Sequence, residues 1–501
     1  MNWIRYGWVL LLLLLAACRP QLLDSPRLAT QTAVSINPPA ATQTPEPLFI
    51  PAPTSAATAV PATAADGTPH GLPNPTLTVW VNETSPAHEA ALRQMAAEFG
   101  REQGIDVEMI LINPALLPDL MQTAVLSYTI PDIVLHPMAY TIGWAERGIL
   151  DPAATAAIAD EIGRDTFDPA ALQTNSINGD LAALPSDGYH QILLYRTDWL
   201  ADSDLAIPDN YAAMLAAAEA AFDPDNLRAG FVMATESNLI TTHEGFEQIA
   251  AANGCDLINP AGEVTFLSPA CQEAIDFYYS IVHQFSPTGV QTDTSARNAY
   301  LNGRVALLLA SPEILPQLAM GDGDLAANSG ILTTISGSGD NAIPATFGNL
   351  TNLGITTAAD PETASAFANY WFNTFYPTWL AIESERKVPM RWGTAVSPTT
   401  FIDDWGILPL TDDVPSLTEL YGSETVALLR DGIADSDRWA FAQGQGGLMT
   451  PLYEELIFPI VLQEMLSGYF GTTKTNYELY TRIVKEIPDY PYPITPEFDE
   501  E

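Results

Sequence analysis

The stretch that decides the fold is residues 77–112, LTVWVNETSPAHEAALRQMAAEFGREQGIDVEMILI. Its opening LTVWVN predicts a strand, because β-branched and aromatic residues favour a pleated sheet. Ser85 and Pro86 then supply a helix N-cap and a first helical residue, and Gly104 ends the helix before the strand DVEMILI. The apolar positions of this helix recur at spacings of three and four residues: Leu92, Met95, Ala96 and Phe99.

The same alternation continues downstream. A helix is predicted over residues 116–127 and a third strand over PDIVLH at 131–136, and three strands alternating with two helices indicate a parallel α/β sheet. Two β-rich runs then flank Pro185-Ser186-Asp187-Gly188, and residues 395–401 are predicted to be extended. Further elements are predicted as a helix over 210–222, strands over 230–235, 304–310 and 330–336, a helix that begins at Ser268-Pro269, and helices over 451–468 and 475–487.

The charge balance excludes whole classes of partner. The 501 residues include 19 basic and 61 acidic side chains, which gives a net charge of −42. Such a surface repels phosphate backbones, so the chain is not expected to bind nucleic acid. It also has no polybasic segment for anionic lipid. Among small ligands it favours neutral or cationic ones.

The N-terminus has the layout of a secretory signal peptide over residues 1–17, with Arg5 followed by a short apolar run and small residues. Leu15-Ala16-Ala17-Cys18 resembles the bacterial lipobox, which predicts that Cys18 carries a lipid and anchors the protein to the cell membrane. An ordinary signal peptide with an incidental cysteine is the alternative. Residues 18–75 contain twelve prolines and no apolar periodicity, which predicts a disordered stalk.

Two cysteines remain in the globular part, Cys255 and Cys271, and an even number suits an exported protein. The residues between them predict two short strands around an Asn-Pro-Ala-Gly turn, which would bring the two cysteines close together. We therefore favour a disulfide bond between them. Two reduced, buried thiols are the alternative.

The order of several segments in the globular part resembles that of a known family. These segments are LTVWVNE, PDIVLHPMAYTIGWAERGILDP, LAALPSDGYHQILLYRTDWL, GEVTFLSPACQEAIDFYYSIV, AYLNGRVALLLASPEIL and GNLTNLGITTAADPETASAFANYWF. Together they span residues 76 to about 490 and are similar to the solute-binding lipoproteins of bacterial ABC transporters, of the maltose-binding type. The resemblance implies a two-lobed α/β fold of the periplasmic-binding-protein kind, with a central ligand cleft.

The family's chain crosses between its lobes several times, and here the crossings are expected near residues 186–188, 352–354 and 395–398. The implied organisation is lobe 1 over 76–186 plus 354–395, lobe 2 over 188–352 plus 396–490, and an acidic tail over 491–501. The resemblance further implies an extracytoplasmic monomer without enzymatic activity, cofactor or metal. Its partners would be a small solute and the permease subunits of an ABC importer.

Ligand-binding candidates follow the predicted strands or lie at the crossings, because ligands of open α/β sheets bind beyond the carboxyl ends of strands. They are Asn82, Glu83, Thr84, His136, Met138, Tyr140, Asp187, Tyr189, His190, Thr235, Glu236, Ser237, Ser311, Glu313, Trp392 and Tyr453. Aromatic faces suit the apolar faces of sugar rings, and carboxylates bind hydroxyls, so a sugar or oligosaccharide is favoured. Trp392 is expected to pack between the lobes rather than on the ligand.

Two other function classes remain as alternatives. A cell-surface enzyme acting on glycosides would need two carboxylates across a cleft, and Asp187 with Glu236 is one such pair. An adhesive or scaffolding lipoprotein would suit the stalk equally well. The segments HEAAL at 88 and HEGFE at 243 lack the second histidine of a His-Glu-x-x-His zinc motif, so neither predicts a metal site.

Overall fold

The computed structural model describes residues 76–490, apart from 322, 339–341 and 412–413. The chain divides into the units 1–72 and 73–501, and all described residues belong to the second. The predicted signal peptide, the lipidated Cys18, the stalk and the acidic tail therefore lie outside the described residues.

Short strands make up two main sheets and three ribbons. The strands are β1 (Thr76–Val81), β2 (Asp106–Leu111), β3 (Ile133–Pro137), β4 (Ser176–Ile177), β5 (Asp180–Leu181), β6 (Leu184–His190), β7 (Ile192–Arg196), β8 (Ala229–Val232), β9 (Val305–Ala310), β10 (Ser329–Leu332), β11 (Thr334–Ile335), β12 (Ala345–Thr346), β13 (Gly348–Ile355), β14 (Val388–Pro389), β15 (Pro409–Thr411) and β16 (Val414–Ser416).

Helices pack on the faces of these sheets. The α-helices are α1 (Pro86–Gln103), α2 (Leu117–Ser127), α3 (Met138–Glu146), α4 (Pro152–Ile162), α5 (Pro169–Thr174), α6 (Thr197–Asp202), α7 (Tyr211–Ala221), α8 (Ile240–Ala252), α9 (Pro269–Phe285), α10 (Asp293–Leu301), α11 (Leu315–Met320), α12 (Gly323–Ala327), α13 (Pro361–Tyr370), α14 (Tyr376–Ala381), α15 (Thr400–Asp404), α16 (Leu417–Arg430), α17 (Met449–Glu454), α18 (Ile457–Leu466) and α19 (Thr472–Lys485).

The first sheet confirms the strand–helix–strand pattern that opens the globular part. Its strand order is β14-β6-β13-β3-β1-β2, with β1 parallel to both β2 and β3. Ser85 caps α1, and Gly104 ends it with a φ of 69° that favours glycine. The predicted apolar face of α1 is buried, which holds the helix on the sheet.

The second sheet has the order β10-β7-β9-β8, and only β8 and β9 pair in parallel within it. The chain enters this sheet at Gln191, which lies between β6 and β7, and returns through the β11–β12 ribbon to β13. A third passage lies between Pro389 in the first sheet and Trp405, which packs in a core with Ile192 and Leu308 of the second.

Two of the predicted crossings lie in strands of the first sheet, and the assignment of residues to the two lobes stays a prediction. Residues 186–188 belong to β6 and residues 348–352 to β13, so both stretches lie in the first sheet. A single strand also replaces the predicted break at Pro185-Ser186-Asp187-Gly188. The pairing with β13 shifts register between Thr351 and Asn352, which places one extra β6 residue there and lets the ladder continue past the proline.

Three local predictions are wrong. Between the cysteines there is one isolated bridge, Ile258 to Val264, instead of two strands. Residues 395–399 form a bend and turn rather than an extended segment, and α15 follows. The helix predicted over 451–468 is two helices, because Leu456 takes a left-handed φ of 51° and Pro459 suits the first turn of α18.

Cys255 and Cys271 form a disulfide bond. Cys255 lies just after α8, and Cys271 lies in the first turn of α9. The bond therefore ties the end of one helix to the start of the next.

The largest apolar core draws on almost the whole described chain. It runs from Ile112 and Leu117 near the start to Ile483 and Val484 at the end, and it includes Trp144 of α3. The C-terminal helices thus complete packing that the early helices begin. None of the described helices has the length and apolar character needed to cross a membrane.

Candidate functional site

A cavity of about 20 Å³ lies where the chain passes from the first sheet to the second. This volume suits a single water-sized group. Its lining residues come from separate parts of the chain: Tyr189, Gln191, Ala234, Thr241, Glu244, Asp293, Leu309, Ala310 and Ser311. Because β8 and β9 both end here, the cavity occupies the usual position of a ligand site in an open α/β sheet.

Glu244 is the buried carboxyl group of this cavity. It lies in the second turn of α8 and is 3% exposed. Asn349 of β13 donates a hydrogen bond from Nδ2 to Glu244 Oε1 at 2.8 Å, so a residue of the first sheet reaches the cavity wall. Burial raises the pKa of the Glu244 carboxyl to about 8, against a smaller lowering by Arg438.

Asp293 is the second carboxyl group at the cavity and begins α10. Thr241 donates from Oγ1 to Asp293 Oδ2 at 3.0 Å. Burial is also the main reason that the pKa of Asp293 is raised. The cavity therefore contains two carboxyl groups whose ionised forms are disfavoured by loss of water.

Gln191 and Tyr189 add neutral polar groups. The Gln191 backbone amide donates to the Phe347 carbonyl at 2.9 Å, which fixes the junction between the sheets. Gln191 is 5% exposed, and it lines the cavity. The Tyr189 hydroxyl lies 3.5 Å from Asn349 Nδ2, the outer limit of a hydrogen bond.

Arg438 joins three segments of the described chain, namely α8, β13 and α17. Its Nε donates to Glu247 Oε1 at 2.8 Å, and its other nitrogens donate to Tyr453 Oη at 3.0 Å and to the Gly348 carbonyl at 2.9 Å. Met138 Sδ is 3.2 Å away. Both charged residues are buried, so this arginine is fully engaged by its own partners.

A second charge cluster lies between the start of α1 and the residues just before β14 of the first sheet. Arg386 donates to both carboxylate oxygens of Glu83 at 2.7 Å, and Lys387 Nζ contacts His88 Nε2. Burial lowers the pKa of Lys387 to about 8 and that of His88 to about 4. Glu83, His88 and Glu383 bring potential ligand atoms within 4.8 Å of one another. The two basic side chains already occupy their acceptors, so this cluster does not fit a metal ion.

The structure brings only two of the predicted ligand residues, Tyr189 and Ser311, to the cavity wall. Thr235 follows Ala234 of the cavity wall. Its backbone amide donates to the Gln291 carbonyl, and its hydroxyl accepts from the Gln291 backbone amide. The Glu236 backbone amide also donates to the Gln291 carbonyl. Ser237 is partly buried. The ligand role of these residues stays a prediction.

Most other candidates have internal partners. His136 donates from Nδ1 to the Pro137 carbonyl at 3.0 Å and packs on Trp144. Asp187 of β6, in the first sheet, accepts from Ser186 and from Trp379, both at 2.7 Å. Tyr140 stacks on Trp144, and His190 Nε2 donates to the Asp431 carbonyl. Glu313 accepts from Arg297, and Tyr453 and Met138 both contact Arg438. The Trp392 backbone amide donates to the Thr166 carbonyl.

The first strand's candidates differ in exposure. Thr84 is exposed, whereas Asn82 and Glu83 are buried. The Asn82 Oδ1 atom has no hydrogen-bond partner among the described residues.

Sequence reasoning missed Gln191, Glu244, Asp293 and Asn349. A signal existed in HEGFE, which we considered only as an incomplete zinc motif. Glu244 and Glu247 are three residues apart, so a helix brings them to one side, where one faces the cavity and the other binds Arg438.

A family model of bacterial extracellular solute-binding proteins matches residues 94–375. This chain is an extracellular solute-binding protein. The predicted family is thereby confirmed.

Two relatives support this membership. The solute-binding protein is 24% identical over 281 residues to YcjN of Escherichia coli, which is named as a periplasmic-binding protein of an ABC transporter. The match covers 56% of this chain and 63% of YcjN. It is also 26% identical over 147 residues to an ABC transporter-binding protein of Deinococcus radiodurans, a match that covers 28% of this chain and 35% of that protein. The aligned parts thus span less than two thirds of each relative.

Solved structures confirm the two-lobed fold. A solute-binding protein of Thermotoga lettingae with bound α-D-tagatose has a TM-score of 0.65 at 18% identity, over 82% of this chain and 99% of that one. MalE3 of Thermotoga maritima with bound maltose has a TM-score of 0.64 at 17% identity, over 81% and 98%. A sugar transporter protein of Arthrobacter chlorophenolicus with laminaribiose has 0.65 at 13% identity, over 83% and 100%.

Proposed function

We propose that the protein is an extracytoplasmic receptor of an ABC importer, which captures a small solute between its two lobes and delivers it to a permease. The observation that carries the proposal is the polar cavity at the carboxyl ends of β8 and β9, with walls contributed by both sheets. Hinge closure around a ligand at such a position is a known way for two lobes to enclose a solute. The chain itself does no chemistry.

A sugar or polyhydroxylated solute is the favoured ligand class. The cavity has carboxyl, amide and hydroxyl groups that can bind hydroxyls. Structural neighbours carry tagatose, maltose and laminaribiose, which supports the class without identifying the ligand. Selectivity would come from buried hydrogen bonds, since one polar group left unpaired costs about 1–3 kcal/mol.

A thermal-shift screen tests the proposal. The full-length protein in detergent is heated with a panel of sugars, sugar alcohols, amino acids, polyamines and short peptides. A ligand that binds only the folded state raises the melting temperature as its concentration exceeds the dissociation constant. We expect a shift with one chemical class and none with the others. Intact protein that shifts with no class would contradict a receptor function.

The membrane attachment is part of the same proposal. We infer that Cys18 becomes the lipidated N-terminus after removal of residues 1–17, and that residues 18–75 act as the spacer. Cells grown with an alkyne-bearing fatty acid should label the protein, and Cys18→Ser should abolish the label. Equal labelling of both proteins would show that the lipid is attached elsewhere.

A further inference from the structure

The cavity at the passage between the two sheets is too small for a whole sugar as it stands. Its volume is about 20 Å³, whereas pockets for small ligands measure about 300 Å³ or more. A receptor that encloses a sugar at this position therefore needs part of its own chain to move aside.

Arg438 fills the space next to this cavity. Its guanidinium donates to the Gly348 carbonyl of β13 and to Glu247 of α8, so it lies between a strand of the first sheet and a helix that packs on the second. The next residue along β13, Asn349, donates to Glu244 of the cavity wall. The arginine and the cavity thus share the same two neighbouring elements.

Two side chains that the sequence predicts as ligand-binding contact this arginine. Tyr453 Oη accepts from Arg438 at 3.0 Å, and Met138 Sδ lies 3.2 Å from it. Arg438 therefore occupies a position at which the sequence predicts the solute.

Buried polar groups around Tyr453 lack partners. The Tyr140 hydroxyl and both ring nitrogens of His243 have no hydrogen-bond partner among the described residues, and each residue is 1% exposed. The ring centres of Tyr140 and His243 lie 6.5 and 4.2 Å from that of Tyr453. Buried polar groups in folded proteins are almost always hydrogen-bonded. A solute with several hydroxyls would supply partners that Arg438 does not.

Arg438 belongs to a long irregular segment, residues 431–448, which we call the strap. The strap connects α16 to α17 and contains no α-helix or β-strand. Gly432 and Gly444 near its ends have positive φ angles of 80° and 70°, which glycine adopts without strain. Asp435 and Asp437 of the strap are exposed, so its outer side faces solvent and leaves room for outward movement.

We propose that the strap is an autoinhibitory segment: it holds Arg438 between the two sheets, and a sugar binds by displacing this side chain from Glu247 and Tyr453. The inference rests on the proposed receptor function and adds an internal competitor for that same site. Because the competitor must leave before a solute can bind, the strap lowers the apparent affinity for every solute.

Hydrogen–deuterium exchange of the full-length protein in detergent tests the displacement. Maltose, tagatose and laminaribiose are the probes, together with any other solute of the thermal-shift panel that raises the melting temperature. The Trp439 backbone amide donates to Glu247 at 2.9 Å, so it is protected from exchange while the strap is in place. A solute that raises the melting temperature should make the peptide containing Trp439 lose protection, whereas peptides of α1 should not exchange faster.

A loosened strap should bind the same solute more tightly. Asp437→Ala removes the Oδ2 atom that accepts from the Thr346 backbone amide at 3.1 Å and holds the strap to β12. Calorimetric titration should show binding about threefold or more tighter, because the competing arrangement has lost a hydrogen bond. Asp435→Ala is the matched control and should bind like the parent protein, since it removes the same charge and leaves the Thr346 contact in place. Circular dichroism confirms that both variants are folded.

The outcomes separate the two proposals. A solute that raises the melting temperature while the Trp439 peptide exchanges no faster would overturn the strap inference and leave the receptor function standing. The same conclusion follows if Asp437→Ala binds no more tightly than Asp435→Ala. If no solute of the panel raises the melting temperature, the receptor function itself fails and the strap inference fails with it.

Discussion

Arg438 and Glu247 form a buried ion pair at 2.8 Å, with exposed side-chain fractions of 2% and 0%. The Trp439 backbone amide also donates to Glu247 at 2.9 Å, so two neighbouring residues both donate to the Glu247 Oε1 atom. Buried pairs of this kind add little net stability, but the removal of one partner leaves an uncompensated charge.

Arg438→Met should therefore lower the free energy of unfolding by about 3–5 kcal/mol. Urea titration followed by tryptophan fluorescence measures the loss. The double variant Arg438→Met with Glu247→Leu should recover most of it, because no buried charge is left unpaired. A single variant within about 1 kcal/mol of the parent protein would show that the pair is solvated after all.

Glu244 gives the ligand-free protein a pH dependence with a definite sign. Its pKa rises from an ordinary 4.5 to about 8 on folding, so the folded state holds a proton that the unfolded state has released. Stability must then fall as the pH rises between these values. Glu244→Gln removes this contribution.

The melting temperature of Glu244→Gln minus that of the parent protein should consequently increase from pH 5 to pH 8. The corresponding gain in free energy is at least about 1 kcal/mol, since each pKa unit is worth about 1.4 kcal/mol. Scanning calorimetry at several pH values measures it, with Glu219→Gln as the exposed control. A difference that stays constant with pH would mean that Glu244 is ionised throughout.

Residue roles were the hardest part to predict. Tyr189 was a candidate because it lies at a predicted crossing, and Ser311 because it follows a predicted strand. Both line the cavity, and their ligand role stays a prediction. Gln191 and Glu244 were missed because their importance depends on which loops meet, and the sequence does not contain that information locally. His136, in contrast, lies within β3, and its side chain packs beside Trp144.

At the level of elements, local signals predicted what local contacts stabilise. The bounds of α1 followed from Ser85, Pro86 and Gly104, all of which act within one turn of the helix ends. The continuity of β6 past Pro185 could not be predicted in this way, because β13, more than 150 residues later, supplies the shifted ladder that accommodates it.

The disulfide joins two elements and should matter for stability. Cys255 and Cys271 are 16 residues apart, and closing a loop of this length is worth about 3 kcal/mol in the chain-entropy account. Cys255→Ala with Cys271→Ala should therefore lower the free energy of unfolding by about 2–4 kcal/mol in a urea titration. A reducing agent should weaken the parent protein by a similar amount and leave the double variant unchanged. Equal stabilities would show that the bond adds nothing to the packing of α8 on α9.

For the whole molecule, the family and the two-lobed α/β fold were predictable because many weak segments occur in a fixed order along more than 400 residues. The division of the chain between the two lobes stays a prediction. The composition of the sequence around Gln191 does not change where the chain leaves the first sheet for the second. Only the pairing of β6 and β7 with different sheets locates this passage.

Closure of the lobes can be measured directly. If a solute draws the two lobes together, small-angle X-ray scattering should show a smaller radius of gyration on addition of a ligand identified by the thermal-shift screen. A sugar that gives no thermal shift is the control and should leave the radius unchanged. A saturating ligand without any decrease would indicate that binding occurs in an already closed molecule.

The core that runs from Ile112 to Val484 also sets when the protein can fold. During synthesis, the residues that complete this core are among the last of the described chain to leave the ribosome. Contacts between such distant parts of a chain form slowly. The nascent chain is therefore without its finished core until residues as late as Val484 have been made. A secretion channel that passes only unfolded chains would meet it in a form that it can transport.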